Sequence, residues 1–181
     1  LLAPLYIALF VYFLITIGEE HNTASLIGKI TAMGLLCGIF GINMAHELGH
    51  RKSKFDQFLA QLLLSTTQYT HFFIEHNRGH HKNVGTPLDP ASARLNEPVY
   101  TFWIRTIIGS FQSAWNIERR LLERSGRSPW SLRNEMVRLI LVETMLLITL
   151  YLVFGSAGLF GFLLASLIGI ILLETVNYIE H

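Results

Sequence analysis

Charge is scarce in this chain. Only 15% of its 181 residues are Asp, Glu, Lys or Arg, against 51% that are hydrophobic, where a soluble domain carries about 25% charged residues. Mean hydropathy is correspondingly positive, at +0.40. Residues 1–17, 30–45 and 144–173 contain none of the four charged types. Runs of that length exclude an ordinary soluble enzyme and a disordered tail, and they point to helices that cross a membrane. Cysteine is nearly missing as well. Cys37 stands alone inside an apolar run, which excludes a disulfide framework and a cysteine-rich metal site. A net charge of +1 gives no reason to expect a nucleic-acid partner. The chain starts at Leu1 without methionine and stops at His181 directly after a polar motif, so it reads as an internal fragment truncated at both ends.

Four spans are expected. Leu1–Ile17 would extend about 26 Å as a helix and Leu26–Ala45 about 30 Å, enough for the hydrocarbon core. The apolar stretch near the end is too long for one span. It divides at the turn signal Gly155-Ser156-Ala157-Gly158, giving Val137–Phe154 and Leu159–Val176. Of the fourteen Lys and Arg, all but Lys29 lie between Arg51 and Arg138. By the positive-inside rule that segment is cytoplasmic, the loops 18–25 and 155–158 face outward, and His181 returns to the cytoplasmic side. Phe55–Ile74 mixes Leu and Phe with Gln, Ser and Thr at helical spacing and reads as an interfacial or re-entrant helix. Pro87, Pro90 and Pro98 break up the next stretch of chain, and Trp115–Arg138 reads as an amphipathic helix and loop. The expected fold is therefore all-α, a single membrane-embedded domain with a histidine-rich cytoplasmic insert.

Six of the eight histidines fall into three groups. His46 and His50 are four apart at the cytoplasmic end of the second span, so both rings share a helix face and can reach one ion. In EHNRGHH, His76 and His80 again share a face, while His81 points elsewhere and can reach a different ion. His181 closes the fourth span. An orientation drawn from Lys and Arg alone brings all three groups to one side at one depth. Two paired spacings favour a metal site over histidines merely tolerated at an interface. His21 lies in an outward loop and is excluded, whereas His71 is an outer partner, a ligand or an interfacial residue.

HELGH at His46–His50 matches HExxH, which in zinc proteases supplies two ligands and a general-base Glu. A protease needs one zinc, a further ligand and an open position, and it leaves EHNRGHH without a task. Five histidines suit two ions better. Iron fits beside hydrocarbon, because activated oxygen can break an unactivated C–H bond and zinc has no redox chemistry. Glu47, Glu75, Asp89 and Glu180 either ligate or hold ring nitrogens, and Glu174, one turn before Tyr178, is a candidate outer partner. A metal transporter would place its ligands near the bilayer midplane, but these lie at helix ends.

NMAHELGH, EHNRGHHKNVGTPLDPASAR and LLETVNYIEH resemble the histidine boxes of bacterial membrane alkane 1-monooxygenases, within the wider membrane desaturase and hydroxylase group. That resemblance implies a di-iron site facing the cytoplasm of the bacterial inner membrane and a hydrophobic substrate channel between spans. It implies terminal hydroxylation of n-alkanes by O2, with electrons delivered by rubredoxin and rubredoxin reductase upstream. Matched motifs carry over His46, His50, His76, His80, His81 and His181 as iron ligands. Xylene-type hydroxylases and acyl desaturases share the same histidine logic and are the nearest alternatives. The Arg-rich stretch from Arg105 to Arg127 would dock an acidic carrier or anionic membrane lipid.

Overall fold

The computed structural model describes residues 2–181, so the start of the first expected span at Leu1 lies outside the described residues. Every regular element among the described residues is helical. In chain order these are α1 (Leu2–Ile17), α2 (Thr23–Leu36), a π-helical turn (Cys37–Ile42), α3 (Asn43–Gly49), α4 (Lys54–Ser65) and α5 (Phe72–Glu75). A second π-helical turn (His76–His80), α6 (His81–Asn83), α7 (Val99–Arg124) and α8 (Glu135–Glu180) complete the chain. Among the described residues two stretches are long and apolar enough to cross a membrane, the 27 residues Thr23–Gly49 and the 46 residues Glu135–Glu180. The α1 helix, at 16 residues, is shorter.

Three local expectations change. The expected loop at 155–158 is a one-residue break, because Gly155 alone leaves the helical region (φ 67°, ψ −168°) and two helices run together across it within α8. A left-handed glycine needs no further loop residues to turn the chain. Phe55–Ile74 is two helices rather than one. The Thr66 and Thr67 hydroxyls donate to the Leu63 and Leu64 carbonyls, and Gln68 takes φ 52°, so α4 ends before His71. In the other direction, α7 begins well before Trp115. Pro98 precedes its first residue, where a missing N–H costs a helix little.

By internal packing the chain divides into two compact units, one holding the chain up to Tyr69 with Glu143–Leu172, the other holding Thr70–Val142 with Leu173–His181. In the first unit Gly34 and Gly38, one helical turn apart, meet the later part of α8. A Cβ on Gly169 would lie 2.9 Å from Cys37 Cβ and 3.1 Å from the Gly38 nitrogen, so these backbones approach as closely as small residues permit. Apolar burial is a weak driving force between helices in lipid, and such close contact replaces it. Polar atoms inside this unit are joined to one another. Tyr6 Oη and Thr66 Oγ1 share a 2.6 Å hydrogen bond, and the Ser166 hydroxyl donates to the Thr66 carbonyl at 3.3 Å.

In the second unit α7 buries Phe102, Thr106, Ser110, Ala114, Glu118 and Leu122, a stripe repeating every four residues. Ion pairs tie it to its neighbours. Arg78 bridges Glu118 and Glu135. Arg105 clamps Glu97 and also donates to the Pro90 and Ser92 carbonyls at 2.9 Å each. The Tyr178 hydroxyl donates to the Glu97 carbonyl at 2.6 Å, which holds the end of α8 to the turns before α7.

Candidate metal centre

His46 on α3 and His50, which caps its C-terminus with helical φ/ψ, come together with their Nε2 atoms 3.0 Å apart. Two imidazoles turning the same nitrogen toward one point form a ready two-ligand set. Glu47 reaches to 3.4 Å of His46 Nδ1 with its side chain 73% exposed, on the ring nitrogen away from the shared point.

The second group departs from the spacing argument. His76 meets His81, not His80, through Nε2 atoms 3.1 Å apart. The cause is the π-helical turn over His76–His80, which aligns residues five apart where an α-helix aligns those four apart. Asn77 Nδ2 donates to the Phe73 carbonyl at 2.7 Å, satisfying a group on the helix that enters the widened turn. A Cβ on Gly79 would strike the Glu75 carboxylate, so any larger residue there displaces that acid. His80 stays beside the pair, its ring stacked on His76 at 5.3 Å.

His80 is directed by a carboxylate. Its Nδ1 donates to Asp89 Oδ2 at 2.9 Å, and the same oxygen accepts from the Ser92 hydroxyl at 2.6 Å. The Ala91 N–H donates to the other oxygen at 3.1 Å. Burial pushes the Asp89 carboxyl upward, but these bonds from His80, Ser92 and Ala91 outweigh it and hold its pKa below the ordinary value. In return the Asp89 bond outweighs burial and raises the His80 pKa. A ring nitrogen fixed on a carboxylate leaves Nε2 to bind a metal, with the tautomer and orientation set. His181 completes this group, its ring centroid 4.9 Å from that of His80. Four imidazoles (His76, His80, His81 and His181) are thus clustered in the second unit, a donor set that suits a transition metal.

Two further acids lie beneath the rings. Glu75 is 2% and Glu174 1% exposed. Glu75 accepts from the Ser113 hydroxyl at 3.2 Å, while Glu174 accepts from Thr106 and Asn177 at 3.1 and 3.0 Å. Burial first, and the Asp89 charge second, push the Glu75 pKa up to about 7. Sequence reasoning missed Ser92, Thr106 and Ser113. The signal for the two on α7 is their small hydroxyls on or beside a stripe that otherwise reads as core. Glu180 lies 3.9 Å from His181 with its side chain 60% exposed. His71 is buried against Phe111 at 5.4 Å, and burial lowers its pKa to about 4, which keeps it neutral. His21 is exposed, as expected.

Residues 23–181 match the fatty acid desaturase family. The chain belongs to that family. It is 43% identical to alkane 1-monooxygenase 1 of Alcanivorax borkumensis over 83% of its own length and 37% of the relative's. It is 42% identical to the alkane 1-monooxygenase of Ectopseudomonas oleovorans, covering 84% of the chain and 39% of the relative. The Pseudomonas putida alkane 1-monooxygenase is 43% identical, covering 84% and 39%. The chain therefore spans about two fifths of the length of these relatives. As a desaturase-family chain, it carries its clustered imidazoles and their buried carboxylate partners within the matched region.

Proposed function

We propose that this chain belongs to a non-haem di-iron monooxygenase that hydroxylates the terminal carbon of n-alkanes. Similarity to alkane 1-monooxygenases at 42–43% identity supports the substrate class. The observation that carries the chemistry is the His80–Asp89 bond beside His76, His81 and His181. The reaction is RH + O2 + 2e⁻ + 2H⁺ → ROH + H2O, with rubredoxin as electron donor. His46, His50, His76, His80, His81 and His181 are the ligands in this reading, and residues 1–181 act as one catalytic domain. Bound iron supplies the redox chemistry that lets O2 attack an unactivated C–H bond. Asp89 keeps the His80 proton on Nδ1, Ser92 keeps Asp89 in place, and Glu75 and Glu174 hold buried acidic sites beneath the rings.

The proposed setting is the bacterial inner membrane, with four spans and the histidines on the cytoplasmic side. Cysteine labelling tests it: position 21 reacts from outside and positions 83 and 126 only from the cytoplasm, and the reverse pattern overturns the orientation. For the activity, the protein at its relatives' full length is supplied with ferrous iron, octane, rubredoxin and a reductant. The expected product is 1-octanol, and His46→Ala or His80→Ala lowers iron content and octanol together. Normal hydroxylation by both variants would sink the proposal, and an alkene product would move it to the desaturases.

A further inference from the structure

Two features of the second unit, whose free cations and tryptophans take no part in the metal centre, meet on α7. The first is a cavity of about 660 Å³ whose lining includes Lys82, Arg94, Arg105, Asn116 and Arg120. Arg105 is committed to Glu97. Lys82 and Arg120 are exposed and make no ion pair or hydrogen bond among the described residues; the Arg94 backbone N–H donates to Glu97 at 3.0 Å, while its guanidinium acts on that carboxylate only through space. Asp89, the acid in the lining, is committed to His80 and Ser92. Unneutralised cations in a concave site of this volume suit a small polyanion, and a phosphate group accepts from guanidinium and ammonium donors.

The second feature is an apolar groove of about 380 Å³ formed by Phe111, Trp115, Trp130 and Ile140, with Gln112 on its edge. Trp130 is 76% exposed, and its ring leans on Trp115 at 4.9 Å. Its loop is tied down by Asn134 Nδ2, which donates to the Pro129 carbonyl at 2.7 Å. Gln112 also lines the cationic cavity. At about 100° per residue, Arg105, Asn116 and Arg120 fall on one side of Gln112 and Phe111 and Trp115 on the other. A free phosphate satisfies the cavity but not the groove, and a hydrocarbon does the reverse.

We infer that this face of α7 is a binding site for one anionic phospholipid, with its phosphate in the Lys82–Arg94–Arg120 cavity and an acyl chain along Phe111, Trp115 and Trp130. Charge and amphiphilicity select the ligand, as in other basic sites beside aromatic belts. This inference does not depend on the metal or the substrate of the proposed enzyme.

The test is tryptophan quenching of the purified protein in neutral detergent, titrated with phosphatidylglycerol or phosphatidylcholine carrying brominated acyl chains. Phosphatidylglycerol quenches saturably and more tightly, and glycerophosphate alone does not displace it. Arg120→Gln with Lys82→Gln weakens phosphatidylglycerol by about thirtyfold, at about 1 kcal/mol per cation, and leaves phosphatidylcholine unchanged. Trp130→Phe reduces the quenching amplitude. Arg119→Gln with Arg124→Gln, which removes the same two charges at exposed positions outside the cavity, keeps the preference and serves as the folded control. Equal quenching by both lipids, or an equal loss in that control, overturns the site in favour of diffuse surface charge. Full displacement by glycerophosphate overturns it in favour of a free phosphate.

Discussion

His46-Glu47-Leu48-Gly49-His50 and His76-Asn77-Arg78-Gly79-His80 look alike as text, each with two histidines four residues apart. Their backbones differ. In the first the α-helical repeat alone brings the two Nε2 atoms to 3.0 Å. In the second a π-helical turn makes the five-residue step the close one, so His76 meets His81 at 3.1 Å and His80 is released toward Asp89. A motif thus specifies which imidazoles are present, while the local helix type specifies which of them meet. The second arrangement requires support that the first does not: a glycine against Glu75, a side-chain amide on a carbonyl, and a carboxylate held by Ser92.

That contrast can be broken most severely at the paired histidines. His76→Ala and His81→Ala should have matching consequences, since each removes half of one pair, and both should exceed the roughly 10–100-fold loss typical of outer partners. Activity and iron content together check this. If His76→Ala matched His80→Ala and His81→Ala were silent, the four-residue pairing would be the correct one.

Asp89→Asn comes next. It retains the shape but loses the acceptor charge that orients His80, and should reduce iron affinity or activity by roughly 10–100-fold. Glu47→Gln in the other region should leave iron content unchanged, because Glu47 is exposed. Gly79→Ala drives a Cβ into Glu75 and should destabilise the second unit by roughly 1–3 kcal/mol. Asn77→Ala, which leaves the Phe73 carbonyl short of one donor, should cost about 1 kcal/mol. Denaturant melts of both variants provide the comparison.

The smallest effect concerns the turns that carry Asp89 to His80. Arg105 holds the Pro90 and Ser92 carbonyls and pairs with Glu97. The Arg105 hydrogen bonds hold the Glu97 pKa below the ordinary carboxylate value. A carboxyl lowered in the folded state stabilises fully above its unfolded pKa, and that contribution is lost as pH falls through the folded value. Glu97→Gln should therefore lower the melting temperature at pH 7, by the equivalent of about 1 kcal/mol or less. The difference from the parent should vanish in acid. A gap that persisted in acid would mean that shape rather than charge holds these turns.

Much of this was legible in the sequence. The His46–His50 pair follows from helical spacing, and the break in the last apolar stretch falls at Gly155, where turn chemistry put it. The π-helical turn was not legible, because HNRGHH satisfies either helix type and the choice rests on packing around Gly79 and Asn77. Nor was the Asp89 contact, which crosses nine residues of proline-broken turns that spacing rules do not describe. The first half of α7 was hidden by its mixed composition, since Thr106 and Ser113 face buried acids and Ser110 is buried where core residues are expected.

The most direct test is the metal content of the purified protein at its relatives' full length, by elemental analysis with iron spectroscopy. The account predicts two irons per chain, with the ratio preserved in Glu47→Gln and reduced in His46→Ala and in His81→Ala. One zinc per chain, with a peptidase activity that disappears in Glu47→Gln, would contradict it.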